Sequence, residues 1–167
     1  MATLQKISPC LWFDSEGEEA ARYYVSIFRK NSEIGLITHY GKEGFEVHGR
    51  QAGSVMTVTF YLLGQEFMAL NGGPQFKFSE AISLMVNCDT QAEIDDYWNK
   101  LGAGGDPKAQ VCGWLKDKYG LSWQIAPAQM ATWMRDATPA QSGRLMTALL
   151  QMKKLDLAAL KRAFDGK

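Results

Sequence analysis

One order of residues occurs twice along the chain, and this repetition constrains the fold more than any other feature. In both places an apolar run ends in an aspartate, a hydroxyl residue follows at once, and a glutamate stands three positions further on. The matching pairs keep one constant offset: Asp14 and Asp89, Ser15 and Thr90, Glu18 and Glu93, Tyr23 and Trp98. The hydroxyl-to-glutamate spacing is typical of a capping box, in which both side chains satisfy free backbone amides at a helix start. We therefore predict an internal duplication, with a helix after the first strand of each half.

The remaining patterns complete each half. In the first half, apolar and β-branched runs predict a helix ending near Phe28 and strands at residues 7–13, 33–40, 55–62 and 66–70. In the second half, similar runs predict a strand at 81–89, a helix at 90–102 and a hairpin of strands 111–116 and 121–126. Four glycines between residues 41 and 53 predict a long mobile loop.

Residues 128–167 predict helices instead of strands. Thr138 precedes Pro139, a residue suited to the first helical position, and Asp156 is placed to cap a second, shorter helix. Apolar residues recur there at helical spacing: Leu145, Met146, Leu149, Met152, Leu157, Leu160 and Phe164. This stripe predicts a packing surface, and either the chain's own sheet or a partner chain could cover it.

Composition and charge exclude several classes of function. Eighteen basic residues balance eighteen acidic ones, so a nucleic-acid partner is not expected. No apolar run is long enough for a membrane span, and the first residues do not resemble a secretory signal. Cys10, Cys88 and Cys112 lie far apart without metal-ligand spacing, which predicts reduced thiols and a cytoplasmic protein. A catalytic thiol is the alternative, and no neighbouring residue marks one.

Two stretches carry a resemblance to a known family. FYLLGQEFMALNGGPQFKFSEAISLMVNCDTQAEIDDYW and CGWLKDKYGLSWQIAP resemble the PhnB-like branch of the vicinal oxygen chelate superfamily, which includes glyoxalases, bleomycin-resistance proteins and dioxygenases. That branch was historically labelled a demethylubiquinone methyltransferase domain. The resemblance covers about residues 5–127. It implies an α+β fold of two tandem βαβββ modules (5–74 and 75–127) that form a curved mixed sheet with a cavity, followed by a C-terminal helical extension (128–167). It also implies a homodimer.

The resemblance identifies four positions that hold metal ligands in other members of the superfamily. On the first strand of each module these positions are Ser8 or Ile7 and Ser83 or Ile82; on the hairpin return strands they are Met68 and Gln124. A divalent metal prefers imidazole or carboxylate ligands, and none of these residues supplies one. We therefore expect neither a bound metal nor another cofactor, which argues against the metal-dependent glyoxalase and dioxygenase mechanisms.

The same positions predict a site for a small organic ligand. The candidate ligand-binding residues are Ser8, Met68, Ser83, Trp114 and Gln124. Hydroxyl, amide and thioether groups suit a partly apolar molecule that forms a few hydrogen bonds. Strand alternation puts Trp123 on the face opposite Gln124. For Trp114, the cavity wall and the core both stay open.

Two alternatives compete with the predicted small-molecule-binding protein. One is a metal-dependent lyase, isomerase or dioxygenase with atypical ligands such as His39 or His48. The other is a scaffold or regulatory module with a vestigial cavity. The glycine cluster at 101–106 follows a helix and precedes a strand, which is the wrong context for a nucleotide-type methyl donor. Methyl transfer is therefore not predicted, and the identity of the ligand stays open.

Overall fold

The computed structural model describes residues 5–167 and divides them into two units, 5–77 and 78–167. The first unit contains β1 (Cys10–Phe13), α1 (Gly17–Phe28), β2 (Glu33–His39), α2 (Phe45–His48), β3 (Val55–Leu62) and β4 (Gln65–Asn71). The second contains β5 (Ser83–Cys88), α3 (Gln91–Gly102), β6 (Trp114–Lys116), β7 (Ser122–Pro127), α4 (Gln129–Arg135), α5 (Pro139–Leu150) and α6 (Leu157–Asp165). None of the helices in residues 5–167 has the length and apolarity to cross a bilayer.

The first unit is a βαβββ module with its helix on one face of a mixed sheet. The strand order is β1-β4-β3-β2, in which β1 runs parallel to β4 and the other neighbours are antiparallel. Val58 and Phe60 alternate with Thr57 and Thr59 along β3, so one face is apolar and packs against α1. Tyr24 of α1 is fully buried and its ring stacks on Phe60, with centroids 6.3 Å apart.

The second unit is a βαβββ-like module with three strands in the order β5-β7-β6. Helix α3 covers one face of the sheet and contacts β7; Ile94 of the helix and Trp123 and Ile125 of the strand are all buried. A 3-10 turn at Pro107–Ala109 and an isolated bridge between Val111 and Trp114 connect α3 to β6.

Two predicted strands begin three residues later than expected. The first strand begins at Cys10 instead of Ile7, because Pro9 has no amide hydrogen for the ladder and Ile7 is 86% exposed. The second hairpin begins its ladder at Trp114 instead of Val111, because Cys112 and Gly113 adopt positive φ angles of 51° and 83°. The predicted mobile loop contains one helical turn, α2.

The two predicted capping boxes have different outcomes. Ser15 does not cap α1; Glu16 occupies that position without a side-chain cap, and the Gly17 amide donates to Asn71 Oδ1 at 2.8 Å. Thr90 does cap α3, because its hydroxyl accepts from the Glu93 amide at 3.2 Å.

The C-terminal helices pack on their own unit. Leu145, Leu155 and Leu160 are buried and form a cluster with partly buried apolar residues: Ala126, Met130, Trp133, Ala148, Leu149, Met152 and Phe164. The predicted stripe is therefore largely covered by the chain itself, although Met146 stays 45% exposed. A capping box of Thr138 with Gln141 begins α5, and Asp156 caps α6.

Candidate ligand-binding site

The face of the second sheet that is turned away from α3 carries most of the polar side chains of its strands. Strand pairing arranges six residues of this open face in two rows: Ser83, Ser122 and Lys116, then Met85, Gln124 and Trp114. Residues of one row are direct cross-strand neighbours, so their side chains lie side by side. The C-terminal cluster packs against Ala126, one alternation further along β7 than Gln124.

Gln124 and Ser83 form a hydrogen-bonded pair on this face. The Gln124 amide nitrogen donates to Ser83 Oγ at 2.8 Å, and both side chains are half-buried. An amide offers two donor hydrogens and two acceptor lone pairs, of which this bond uses one hydrogen. The pair therefore holds the amide in a defined orientation and retains capacity for further hydrogen bonds.

A depression of about 450 Å³ lies at the β6 edge of the sheet; Gln124 and Ser83 do not line it, but their cross-strand neighbours Trp114 and Ser122 do. Its lining includes Trp114, Lys116 and Ser122 from the open face, together with Glu80 and Cys112. Trp114 is half-buried in this lining. By contrast, Trp123 is 2% exposed on the opposite face, as strand alternation predicts.

The lining of the depression contains one unpaired hydroxyl and one ion pair. Ser122 is 1% exposed, and its Oγ has no hydrogen-bond partner within residues 5–167. The Lys116 ammonium forms an ion pair with the Glu80 carboxylate. The hydrogen bond from Lys116 is the main reason that the pKa of Glu80 lies below its ordinary value.

Asp117 holds the hairpin that presents these residues. Its carboxylate accepts hydrogen bonds from the amides of Tyr119 and Leu121 at 2.9 and 3.1 Å, and from the Trp123 indole at 2.8 Å. Gly120 completes the turn with a φ of 84°, a conformation that favours glycine. Asp117 is 2% exposed, so its role in the hairpin is structural.

Ser8 and Met68, the other two candidates, lie in the first unit. Ser8 Oγ donates to Glu66 Oε1 at 2.7 Å, and Tyr61 donates to the other carboxylate oxygen at 3.1 Å. This hydrogen bond to Glu66 is the main reason that the pKa of Tyr61 is raised. Met68 is 37% exposed on the face turned away from α1, opposite Cys10 and Thr59.

The side chains present do not fit a divalent metal. Ser8, Met68, Ser83 and Gln124 supply no charged donor, and within residues 5–167 no three His, Cys, Asp or Glu side chains are grouped to hold an ion. His48 uses both ring nitrogens locally: Nδ1 accepts from the Arg50 amide at 2.9 Å, and Nε2 lies 3.1 Å from the Glu43 carbonyl. His39 lies at the exposed end of β2.

The glycine cluster after α3 has a structural explanation. A Cβ atom at Gly105 would lie 1.9 Å from the Lys116 carbonyl oxygen, so only glycine allows the backbones to approach this closely. Gly104 has a φ of 75°. The cluster therefore supports the packing of the turn against β6 and needs no nucleotide to account for it.

The structure adds three residues that the sequence analysis did not select. Ser122 stands two positions before Gln124, so strand alternation could have placed it on the same face. Lys116 follows Trp114 by the same spacing. Glu80 precedes β5 in a turn and has no sequence signal that would pair it with Lys116.

Several solved structures are similar to this chain. A protein from Bacillus cereus, provisionally described as a 3-demethylubiquinone-9 3-methyltransferase, PhnB protein, is 40% identical; the alignment covers 72% of this chain and 98% of that one, with a TM-score of 0.60. Protein PA1353 from Pseudomonas aeruginosa is 21% identical; the alignment covers 75% of this chain and 98% of that one, with a TM-score of 0.55. A glyoxylase/bleomycin resistance protein/dioxygenase domain from Frankia sp. EAN1pec is 14% identical; the alignment covers 75% of this chain and 93% of that one, with a TM-score of 0.43.

The fold places the chain among α+β proteins built from βαβββ-type modules. Residues 5–126 match the profile of the family described as 3-demethylubiquinone-9 3-methyltransferase. The chain therefore belongs to this PhnB family. A search of curated proteins gave no match. At the level of the family, the fold supports small-molecule binding.

Proposed function

We propose that the protein binds a small organic molecule on the open face of the second sheet and does so without a resident metal. The observation that carries this proposal is the Gln124–Ser83 pair, hydrogen-bonded at 2.8 Å, whose cross-strand neighbours Trp114 and Ser122 line a depression of about 450 Å³. Ligand sites commonly combine an apolar wall with a few fixed polar groups, and this face offers both.

Each residue of the face has a distinct proposed role. The Gln124 amide and the Ser83 hydroxyl orient the ligand through hydrogen bonds, since their mutual contact already fixes their geometry. Trp114 supplies an apolar wall, and Met85, which is 58% exposed beside Gln124, extends it. In the first unit, Ser8 and Met68 remain proposed ligand contacts.

Methyl transfer is not part of the proposal, although the family's description names it. A nucleotide-type methyl donor is usually held by a glycine-rich turn between a strand and a helix. Here the glycine cluster follows α3 and packs against the Lys116 carbonyl. We propose ligand sequestration or modest metal-free chemistry instead, in a cytoplasmic homodimer. The three free cysteines are compatible with that compartment.

A thermal-shift screen of small metabolites, run on chelator-treated protein, tests this proposal. A molecule that binds the native state raises the unfolding temperature. The increase should persist with chelator present and should fall strongly in Gln124→Leu and Ser83→Ala. Gln151→Leu, an exposed glutamine outside the site, is the matched control and should retain it.

Two results would count against the proposal. Stabilisation by a divalent metal alone, abolished by chelator, would favour the metal-dependent alternative. Stabilisation by a metabolite that is unchanged in both site variants would place the ligand elsewhere on the protein.

A further inference from the structure

The depression beside Trp114 is lined by more positive than negative charge. Two lysines contribute to it, Lys108 and Lys116, against a single carboxylate, Glu80. The side chain of Lys116 is 24% exposed, so its ammonium is partly shielded from water. Shielding strengthens the attraction of such a group for an anion.

The Glu80 carboxylate is the anion that Lys116 contacts, and it is held weakly. The Glu80 side chain is 66% exposed and lies in a turn before β5, outside any helix or strand. Water and salt compete for the exposed Glu80 carboxylate, so its pairing with Lys116 adds little stability. Another carboxylate could therefore replace Glu80 at low cost.

The Ser122 hydroxyl is the second group that points to a ligand. It pairs across the ladder with Lys116 on one side and with Ser83 on the other. It is 1% exposed and has no partner within the described part of the chain. A buried hydroxyl without a partner is costly, so a ligand oxygen that accepted its hydrogen would stabilise the complex.

From these contacts we infer that the ligand is a small organic acid whose carboxylate binds Lys116 and Ser122. The Glu80 carboxylate pairs with the Lys116 ammonium until the acid displaces it. This inference rests on the proposed function, because the apolar body of the acid would lie against Trp114 and the Gln124–Ser83 pair. The Ser122 oxygen is covered in this conformation. Contact with the acid therefore requires a neighbouring side chain to shift when Glu80 leaves.

Two pairs of matched probes test the charge requirement: benzoate with benzamide, and hexanoate with hexanamide. Each pair shares an apolar body and differs in the carboxylate. Titrations followed by ¹H–¹⁵N NMR should show tighter binding of both acids, with shifts at the Ser122 and Lys116 amides and the Trp114 indole.

Variants then separate the three groups. Lys116→Met should weaken acid binding about tenfold, the scale of one charge-assisted hydrogen bond. Glu80→Gln should strengthen acid binding about two- to fivefold, because it removes a competitor held by an exposed ion pair. Ser122→Ala should weaken it about tenfold, because its hydroxyl would donate to a charged carboxylate. The ion pair of Lys100 with Asp96 on α3 supplies the controls Lys100→Met and Asp96→Asn, which should leave acid affinity unchanged.

The outcomes distinguish this inference from the proposed function. Equal affinity for acids and amides, or no effect of Lys116→Met, would overturn the inference. If a neutral molecule from the thermal-shift screen still bound at Gln124, the proposed function would stand. If neither the probes nor any molecule of the screen bound the open face, both would be overturned.

Discussion

At the scale of single residues, Asp117 connects the sequence of the second hairpin with the geometry of the proposed site. Its buried carboxylate receives hydrogen bonds from two backbone amides and from the Trp123 indole. These bonds fix the turn between β6 and β7, and hence the positions of Trp114 and Gln124. A carboxylate suits this place because all three of these partners are donors.

Asp117→Asn should therefore destabilise the protein. An asparagine side chain replaces one acceptor oxygen with an NH₂ group, which is a donor. This NH₂ group would face the donors around it, and at least one buried N–H group would lose its partner. We expect a loss of about 2–3 kcal/mol in the free energy of unfolding, measured by urea denaturation. Lys118→Gln, on the exposed neighbour, is the control and should change it by less than about 0.5 kcal/mol. An equally small effect of Asp117→Asn would contradict this account of the turn.

Cys88 makes stability depend on pH in the alkaline range. Burial, with smaller effects of Glu93 and Asp89, raises the pKa of its thiol from 9.0 to about 12. As the pH rises, the thiol loses its proton at a lower pH in the unfolded chain than in the folded one. The contribution of the protonated thiol to the free energy of unfolding is therefore fully present below pH 9 and is lost as the pH rises toward 12. Wild type should lose about 1 kcal/mol per pH unit more than Cys88→Ala above pH 9. Parallel pH profiles of the two proteins in urea denaturation would contradict this.

At the scale of elements, two helices begin with similar sequence signals and different structures. Thr138 forms a complete capping box with Gln141, whose side-chain oxygen accepts from the Thr138 amide at 2.9 Å. Ser15 has the same spacing to Glu18 but forms no cap, because α1 begins at Gly17 and Asn71 satisfies that amide.

Substitutions at the two positions should therefore differ. Thr138→Ala removes a cap and should lower the free energy of unfolding by about 1 kcal/mol, whereas Ser15→Ala should leave it nearly unchanged. Chemical denaturation of both variants measures this. Equal losses would show that Ser15 caps α1 in solution.

The same elements show how far the sequence could predict the structure. Strand β3 was predicted with its observed bounds, Val55–Leu62, because a run rich in β-branched and aromatic residues is a local signal. The pairing of Asn71 with Gly17, which displaces the Ser15 cap, joins residues far apart in sequence. Glu80 and Lys116 are likewise distant, so no local pattern could predict that the site contains an ion pair. Gln124 and Ser83 were selected through the family resemblance and Trp114 from its place in a predicted strand, and the strand register puts all three on one face.

At the scale of the whole molecule, we predict a homodimer. Closed homo-oligomers with two-fold symmetry are the commonest soluble assemblies, and the family resemblance implies one here. Sedimentation equilibrium at micromolar concentration should give twice the chain mass of 18.6 kDa. A single species of 18.6 kDa across the concentration range would contradict the prediction.

The central claim is that the open face of the second sheet binds a small organic molecule without a metal. ¹H–¹⁵N NMR of chelator-treated protein, titrated with the molecule that most raises the unfolding temperature, tests it most directly. We predict that the largest shifts will be those of the Gln124 side-chain amide and the Trp114 indole, while the exposed Gln151 side chain stays unshifted. Shifts centred away from Gln124 and Trp114, or shifts that require an added divalent metal, would contradict the claim.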